Sequence, residues 1–461
     1  MQKKQKEYIE ENFDFLVELY NRYVRFIYKN KSTLEYYSSP LMNLIGVPSD
    51  EFNVFCIRYY NRKFSQISPE SIKSNSILYS LLRAAKIILI YFYSKFIFKK
   101  IRNKKSIVIH AFHKESDFNR KEYSTLKSPP FEYFDGFNII HDINPSFVSI
   151  SSMHKFKGYR DNITCSLIYI NIFDFLYFFT LSLKYFFSFY LIRRSSSILN
   201  DFPANVHDII FNILKGVGTS KLINNLDNES RYLHMWENRG HQNIADFLLN
   251  SDLKSLFLNV AVIFKNNPEY MFFRFLNHKR RSKLLLMSES NRDILPDKVV
   301  QNSSLFYNYR IPKLNISNDS YSNKILVITP ISVSRSRELY NLVCKSNIKN
   351  IKIKFHPFVD TKFFKEKYIE NRNLYSCIKD YGSVLYSGYT SAALELYFLN
   401  KKIYKLETLN KIDIDFIVDY NMCTIISSLD DITSKTELNR LDTKNYFLGI
   451  ENNILQYYIN K

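Results

Sequence analysis

Short apolar runs separated by polar loops recur through the second half of the chain. Six of these runs have the length of buried strands: KLLLMSES (283–290), KVVQNSS (298–304), KILVITP (324–330), IKIKFHP (351–357), GSVLYSG (382–388) and KKIYKLE (401–407). Two helical patterns, SRELYNLVCKS (336–346) and SAALELYFLN (391–400), lie between them. Strands that alternate with helices in this way predict parallel βαβ units in a doubly wound sheet.

The first half of the chain shows the same alternation with longer helical stretches. SIVIHAFHK (106–114) has the β-branched run of a buried strand. FEYFDGFNIIHDINPSFVSI (131–150) predicts a turn at Asp135-Gly136 followed by another strand. Residues 5–30 carry apolar side chains at mostly three- and four-residue spacing, which is typical of an amphipathic helix.

The length of the chain bears on its division into domains. At 461 residues it exceeds what one hydrophobic core organises, so the α/β pattern predicts two domains. We place the first at 1–275, with large helical insertions, and the second, Rossmann-like, at 276–430. The remaining stretch, 431–461, predicts a helical tail.

Two segments, Ser76–Phe98 and Ser166–Ile192, are more apolar than the rest of the chain. Both contain charged residues, which are costly in hydrocarbon, so we predict that neither crosses a bilayer. These residues are Arg83, Lys86 and Lys95 in the first segment and Asp174 and Lys184 in the second. Basic residues follow each segment: Lys99, Lys100, Arg102, Lys104 and Lys105, and then Arg193 and Arg194. This pattern favours helices against an anionic membrane interface, and the alternative is buried helices with cations near their carbonyl ends.

The net charge of +20 indicates a partner that carries negative charge: nucleic acid, an anionic membrane or a phosphorylated substrate. The basic residues are scattered through apolar stretches rather than gathered on a nucleic-acid-binding module, so we expect no nucleic acid. Five cysteines lack the paired spacing of a zinc or redox site, and the first residues lack the apolar core of a secretory signal. We therefore expect a cytoplasmic protein.

Polar residues follow three of the predicted strands of the second domain. Pro330, Ser332 and Arg335 follow KILVIT, and His356-Pro357 follow IKIKF. Because ligands bind at the carboxyl ends of parallel strands, these loops are expected to converge on one ligand. Arginine and histidine suit a phosphate, although His356 also fits a simple turn before Pro357.

The third loop, SGYTS (387–391), opens the helical pattern SAALELYFLN. Ser387, Gly388, Thr390 and Ser391 offer hydroxyl and backbone donors at a helix N-terminus, a setting that attracts phosphate. The alternative role of Thr390 or Ser391 is an ordinary N-cap. Glu395, one turn further on, is placed to accept hydrogen bonds from a ribose or to favour the positive helix end.

Two carboxylates of the first half are candidate general bases. Glu237 lies in RYLHMWENRGHQNIADF beside His234 and His241, and Asp135 lies in the turn YFDG. A positioned carboxylate can take the proton of an acceptor hydroxyl. The alternatives are a solvated helix face for the first and a turn aspartate for the second. His234 and His241 are seven residues apart, so we expect no metal site.

His356-Pro357 and the later SGYTSAALELYFLNKKIYKLE resemble motifs of the bacterial GT-B glycosyltransferases of surface-polysaccharide synthesis. The similarity is to surface carbohydrate biosynthesis proteins, capsule transferases and bacterial sialyltransferases, and it covers roughly residues 230–425. In those families an HP motif and a Ser/Thr-rich loop hold the nucleotide phosphate of the donor. HMWENRGHQ resembles the Trp/Glu segment of the surface carbohydrate proteins.

The resemblance implies a GT-B-like fold, with two Rossmann-like domains facing a cleft and extra helices in the N-terminal half. It implies a metal-independent transferase, without a cofactor, that moves a sugar, such as a sialic-acid-like sugar, from a nucleotide-sugar donor to a growing, lipid-linked surface glycan. His356, Glu237 and Asp135 are then the catalytic residues, and the protein works peripherally at the inner face of the cell membrane. The alternatives are a teichoic-acid-type polyol-phosphate transferase and a noncatalytic membrane-associated scaffold.

Overall fold

Two parallel β-sheets organise the chain in the computed structural model, one in each of two compact units. The structure describes residues 77–101, 105–110, 136–143, 162–180, 183, 206–235, 240–249, 254–259, 282–295, 297–306, 322–330, 333–346, 348–356, 359, 361–362, 364–387, 390–406, 422–432 and 453–460. The predicted amphipathic helix at 5–30 lies outside these ranges. The α/β class predicted from the sequence is confirmed.

The first unit is built on a seven-stranded sheet. Its strands are β1 (Ser106–His110), β2 (Asn138–Asp142), β3 (Ile163–Thr164), β4 (Arg231–Met235), β5 (Ser255–Asn259), β6 (Lys283–Leu286) and β7 (Ser303–Leu305). All neighbours are parallel, in the order β3-β2-β1-β4-β5-β6-β7. Strands β1, β4 and β5 are buried along their whole length, and their sequences SIVIH, RYLHM and SLFLN accordingly lack the strict apolar–polar alternation of half-exposed strands.

Helices of the first unit connect and cover these strands. They are α1 (Ile77–Ile97), α2 (residues 172–180), α3 (Val206–Asn224), α4 (Gly240–Phe247), α5 (Glu289–Ile294) and α6 (Asp297–Val300), with a 3₁₀ turn at Ser166–Tyr169. Within the apolar segment predicted at 166–192, the described residues thus form a 3₁₀ turn at Ser166–Tyr169 and a separate helix at 172–180. None of the described helices combines the length and the hydropathy needed to cross a bilayer.

A buried ion pair fixes α3 on the sheet. Lys215 Nζ of α3 lies 2.8 Å from Asp142 Oδ2 at the end of β2, and both side chains are completely buried. The Ser166 N–H and the Tyr232 hydroxyl also donate to this carboxylate. At Gly218 of α3 a Cβ atom would lie only 2.5 Å from the Ser166 carbonyl oxygen, so the close approach of helix and turn requires glycine.

The second unit is built on a five-stranded sheet. Its strands are β8 (Ile325–Ile328), β9 (Ile351–Lys354), β10 (Ser383–Tyr386), β11 (Lys402–Leu406) and β12 (Thr424–Ile426). They are parallel, in the order β12-β11-β10-β8-β9. The helices are α7 (Val333–Lys345), α8 (Leu374–Cys377) and α9 (Ser391–Phe398), with 3₁₀ turns at Glu366–Tyr368, Ile378–Asp380 and Leu429–Asp431.

The boundary between the two units differs from the one predicted at 275/276. β6 and β7 pair with β5, so the first sheet continues to Leu305. Within the run predicted as a strand at 298–304, the first residues instead belong to α6. Parallel strands of both sheets have the same apolar pattern, so the sequence does not reveal which sheet a strand joins.

The last described helix, α10 (Ile454–Asn460), belongs to the first unit rather than forming a separate tail. Its Tyr458 hydroxyl lies 3.3 Å from the Ser304 hydroxyl of β7, and the Lys283 ammonium of β6 lies 5.3 Å from the Tyr458 ring centroid. The chain therefore returns to the edge of the first sheet after completing the second unit.

Candidate functional site

The strand order of the second sheet creates a crevice between β8 and β10. The chain leaves β8 towards β9 on one side and then crosses to β10 on the other side. Such a reversal is the point at which open α/β sheets bind ligands, outside the carboxyl ends of the strands. Tyr386 pairs with Ile328, and Ile328 pairs with Lys354, so the three strands end at the same level. The loops predicted to converge therefore start at one edge of one sheet.

Thr329 links the first two of these loops. Its hydroxyl accepts a hydrogen bond of 2.9 Å from the His356 N–H, and its own N–H donates to the Lys354 carbonyl at 3.1 Å. His356 is therefore held by its backbone beside the end of β8, with its side chain half-buried. The sequence interpretation missed Thr329, which it treated as part of the strand KILVITP. Pro357 lies outside the described residues.

Ser387 and Thr390 bracket the third loop. Ser387 directly follows β10 and is 1% exposed, and its hydroxyl has no hydrogen-bond partner in the structure as described. Thr390 is the N-cap residue of α9, but its side chain makes no capping hydrogen bond. A buried hydroxyl without a partner costs free energy, and the first N–H groups of a helix attract an anion. Both features are explained if a ligand with acceptor oxygens binds here.

Other predicted residues of this edge are described only in part. Pro330 ends the described loop after β8, and its carbonyl accepts a 3.0 Å hydrogen bond from the Ser336 hydroxyl of α7. Ser332 and Gly388 lie outside the described residues, as do the side chains of Arg335, in the first turn of α7, and Ser391, which begins α9.

Glu395 lies in the second turn of α9 and is buried. Its carboxylate accepts a hydrogen bond from the Tyr375 hydroxyl of α8. The side chain therefore links α9, which follows β10, to α8, which lies in the connection between β9 and β10. This contact gives Glu395 a structural role that the sequence did not indicate.

A second carboxylate of this unit, Glu370, is held by strong donors. The Arg372 guanidinium donates to both of its oxygens, at 3.0 and 2.8 Å, and the Tyr381 hydroxyl donates at 2.7 Å. The hydrogen bonds from Arg372 are the main reason that the pKa of Glu370 falls to about 2. Glu370 therefore stays ionised at neutral pH, which does not suit a residue that must exchange a proton.

The first sheet has a reversal of its own, between β1 and β4, and histidines lie at its carboxyl edge. His110 and His234 are partners in the strand register. Their ring centroids are 6.2 Å apart, and the His241 ring of α4 lies 5.1 Å from that of His110. All three are buried, and His234 stacks on Phe257 at 4.2 Å. The sequence interpretation missed His110, although its position at the end of the run SIVIH was a usable signal.

The two candidate bases, Glu237 and Asp135, lie outside the described residues. The elements on either side of Glu237 in the chain are described. β4 ends at Met235 and α4 begins at Gly240, where the sequence interpretation had considered one solvated helix. The Gln242 side-chain amide donates to the Met235 carbonyl at 2.7 Å, tying α4 to the strand end.

The turn predicted at Asp135-Gly136 is described from Gly136 onward. Gly136 has a φ of +78°, and strand β2 follows it. Across the described part of the chain, no group of three or more His, Cys, Asp or Glu side chains is arranged to hold a metal ion.

No family model, curated protein or solved structure matches this chain.

Proposed function

We propose that this protein is a glycosyltransferase of GT-B architecture that transfers a sugar from a nucleotide-activated donor to a growing surface glycan. The observation that carries the proposal is the carboxyl edge of the second sheet. There the loops after β8, β9 and β10 start at one level, beside the buried Ser387 hydroxyl and the N-terminus of α9. This combination suits the diphosphate or monophosphate of a nucleotide-sugar.

In this proposal the residues at the edge bind the leaving group. His356, Thr390 and Ser391 donate hydrogen bonds to phosphate oxygens, and Ser387 supplies a further donor. As the bond from the anomeric carbon to the phosphate oxygen breaks, negative charge grows on the phosphate. Fixed donors stabilise that charge without reorganising during the reaction.

The acceptor hydroxyl oxygen attacks the anomeric carbon, and its proton passes to a carboxylate. We assign this role first to Glu237 and second to Asp135. Glu237 follows β4 by two residues in the chain, and β4 ends at the reversal of the first sheet, where ligands of such sheets bind. The acceptor in this proposal is a lipid-linked glycan at the inner face of the cell membrane.

The donor site can be tested with nucleotide-linked sugars and the variant Ser387→Ala. We expect CMP-, UDP-, GDP- or dTDP-linked sugars of one class to raise the melting temperature of the wild-type protein. Ser387→Ala and His356→Ala should each weaken that binding about tenfold, because a hydrogen bond to a charged group contributes roughly 1.5 kcal/mol. Without ligand, Ser387→Ala should be as stable as wild type or more so, since it removes a hydroxyl buried without a partner.

Ser383→Ala is the matched control, because Ser383 begins the same strand at the opposite edge of the sheet. It should bind the donor like the wild type. The proposal is contradicted if no nucleotide-sugar changes the melting temperature. It is also contradicted if Ser387→Ala and His356→Ala bind the donor as tightly as Ser383→Ala. A response only to nucleotide-linked polyols would redirect the assignment to polyol-phosphate transfer.

A further inference from the structure

Helices α1 and α2 of the first unit expose large apolar side chains on their outer sides, although their inner sides already pack into the core. The inner face of α1 packs into the core through buried residues such as Ile87, Ile90 and Ile97. Its outer face exposes Leu82, Leu89 and Phe96, the last with 77% of its surface accessible. Large apolar side chains that recur along the exposed side of a helix commonly mark a surface that another body covers. Something is therefore expected to cover the outer face of α1.

The outer side of α2 is apolar as well. It exposes Phe173, Leu176 and Tyr177, and Phe173 is 81% accessible. The two helices touch through stacked rings, with the centroids of Tyr91 and Phe175 3.9 Å apart. We use the name outer apolar surface for the eight large apolar residues that these two neighbouring helices expose: Leu82, Leu89, Phe92, Phe96, Ile172, Phe173, Leu176 and Tyr177. Exposed apolar patches of this kind mark interaction sites.

The charges around the outer apolar surface are mainly positive. Helix α1 contains no acidic residue, and Lys99 and Lys100, which follow it, are exposed. The single acidic residue among residues 172–180, Asp174, forms an ion pair with Lys221. The rim of the surface therefore attracts anions.

We propose that the outer apolar surface docks on an anionic phospholipid bilayer, with α1 and α2 lying in the plane of the interface. Phe, Leu and Tyr side chains with lysines at the margin are the composition of interfacial helices. The inner face of α1 is fixed in the core, so the helix lies along the bilayer and does not cross it. The mainly positive charge at the margin of this surface favours anionic lipid over a second copy of this basic chain. The proposal does not depend on glycosyl transfer.

Vesicle sedimentation of the full chain tests this surface. We expect the protein to sediment with vesicles of phosphatidylcholine and phosphatidylglycerol, and much less with phosphatidylcholine alone or in high salt. The double variant Phe96→Ser, Phe173→Ser should bind the anionic vesicles at least about tenfold more weakly, because two large apolar side chains no longer enter the interface. Lys99→Glu with Lys100→Glu should weaken binding to anionic vesicles without changing the weak binding to neutral ones.

Tyr457→Ser is the matched control, because Tyr457 is an exposed aromatic residue on α10, outside the proposed surface. It should sediment like the wild type, and circular dichroism should show that all variants remain folded. Equal vesicle binding by wild type and the double phenylalanine variant would overturn the proposal. So would a folded wild type that ignores anionic vesicles but forms a dimer that the double variant abolishes, since the occupant would then be a second copy.

Discussion

Replacing Lys215 by methionine is expected to lower the free energy of unfolding by about 3–5 kcal/mol. The substitution removes the cation that lies 2.8 Å from Asp142 and leaves a carboxylate buried with both of its former neighbours, the Ser166 N–H and the Tyr232 hydroxyl, but without a counter-charge. An uncompensated charge in a low-dielectric interior is costly. Urea denaturation followed by circular dichroism measures the loss.

Two variants test this explanation. The double variant Lys215→Met, Asp142→Asn should be more stable than Lys215→Met alone, because no unpaired carboxylate is then left at position 142. Arg292→Met removes the cation of an exposed pair, in which Arg292 lies 3.7 Å from Glu289, and should change stability by no more than about 1 kcal/mol. If Lys215→Met is as mild as Arg292→Met, the buried pair does not have the role assigned to it.

Acidification is expected to destabilise the first unit through His141. This residue lies in β2, paired with Ile109 of β1 and Ile163 of β3, and it is 3% exposed. Burial lowers the pKa of His141 to about 4, because the charged imidazolium is poorly solvated there. Between about pH 6.5 and pH 4, the unfolded chain, with an ordinary histidine pKa near 6.5, therefore binds a proton at His141, whereas the folded chain does not.

His141 thus makes its full contribution to the free energy of unfolding, about 3 kcal/mol, above about pH 6.5. This contribution is lost as the pH falls towards 4. The measurement is the free energy of unfolding as a function of pH, for wild type and for His141→Gln. Glutamine cannot titrate, so the difference between the two proteins isolates this one group. The difference should depend on pH only within this window. Two parallel curves would show that His141 does not resist protonation in the fold.

The candidate donor site was predictable because its residues follow strands that are evident in the sequence. The runs KILVITP, IKIKFHP and GSVLYSG become β8, β9 and β10, and parallel strands necessarily end at one edge. His356 and Ser387 therefore lie at the same edge, as predicted. The contacts within the edge were not predictable. Neither the bond from the His356 N–H to Thr329 nor the pairing of Glu395 with Tyr375 follows from spacing along the chain.

The histidines of the first sheet show the same limit more strongly. His110 and His234 are more than a hundred residues apart, and they are register partners only because β4 lies beside β1, on the side opposite β2 and β3. Local periodicity contains no information about that placement. His241 joins them through the position of α4, which is likewise set by packing.

The sequence by itself determined the α/β class, most of the strands and the polar loops that follow them, because strands and helices differ in the local period of their apolar residues. The tertiary structure decided which sheet each strand joins, as with β6 and β7, and which distant groups meet, as with Lys215 and Asp142. It also decided which apolar side chains stay exposed, including Phe96 and Phe173. These features depend on packing between elements far apart in the chain, and an apolar residue has the same local pattern whether its partner is the core or another surface.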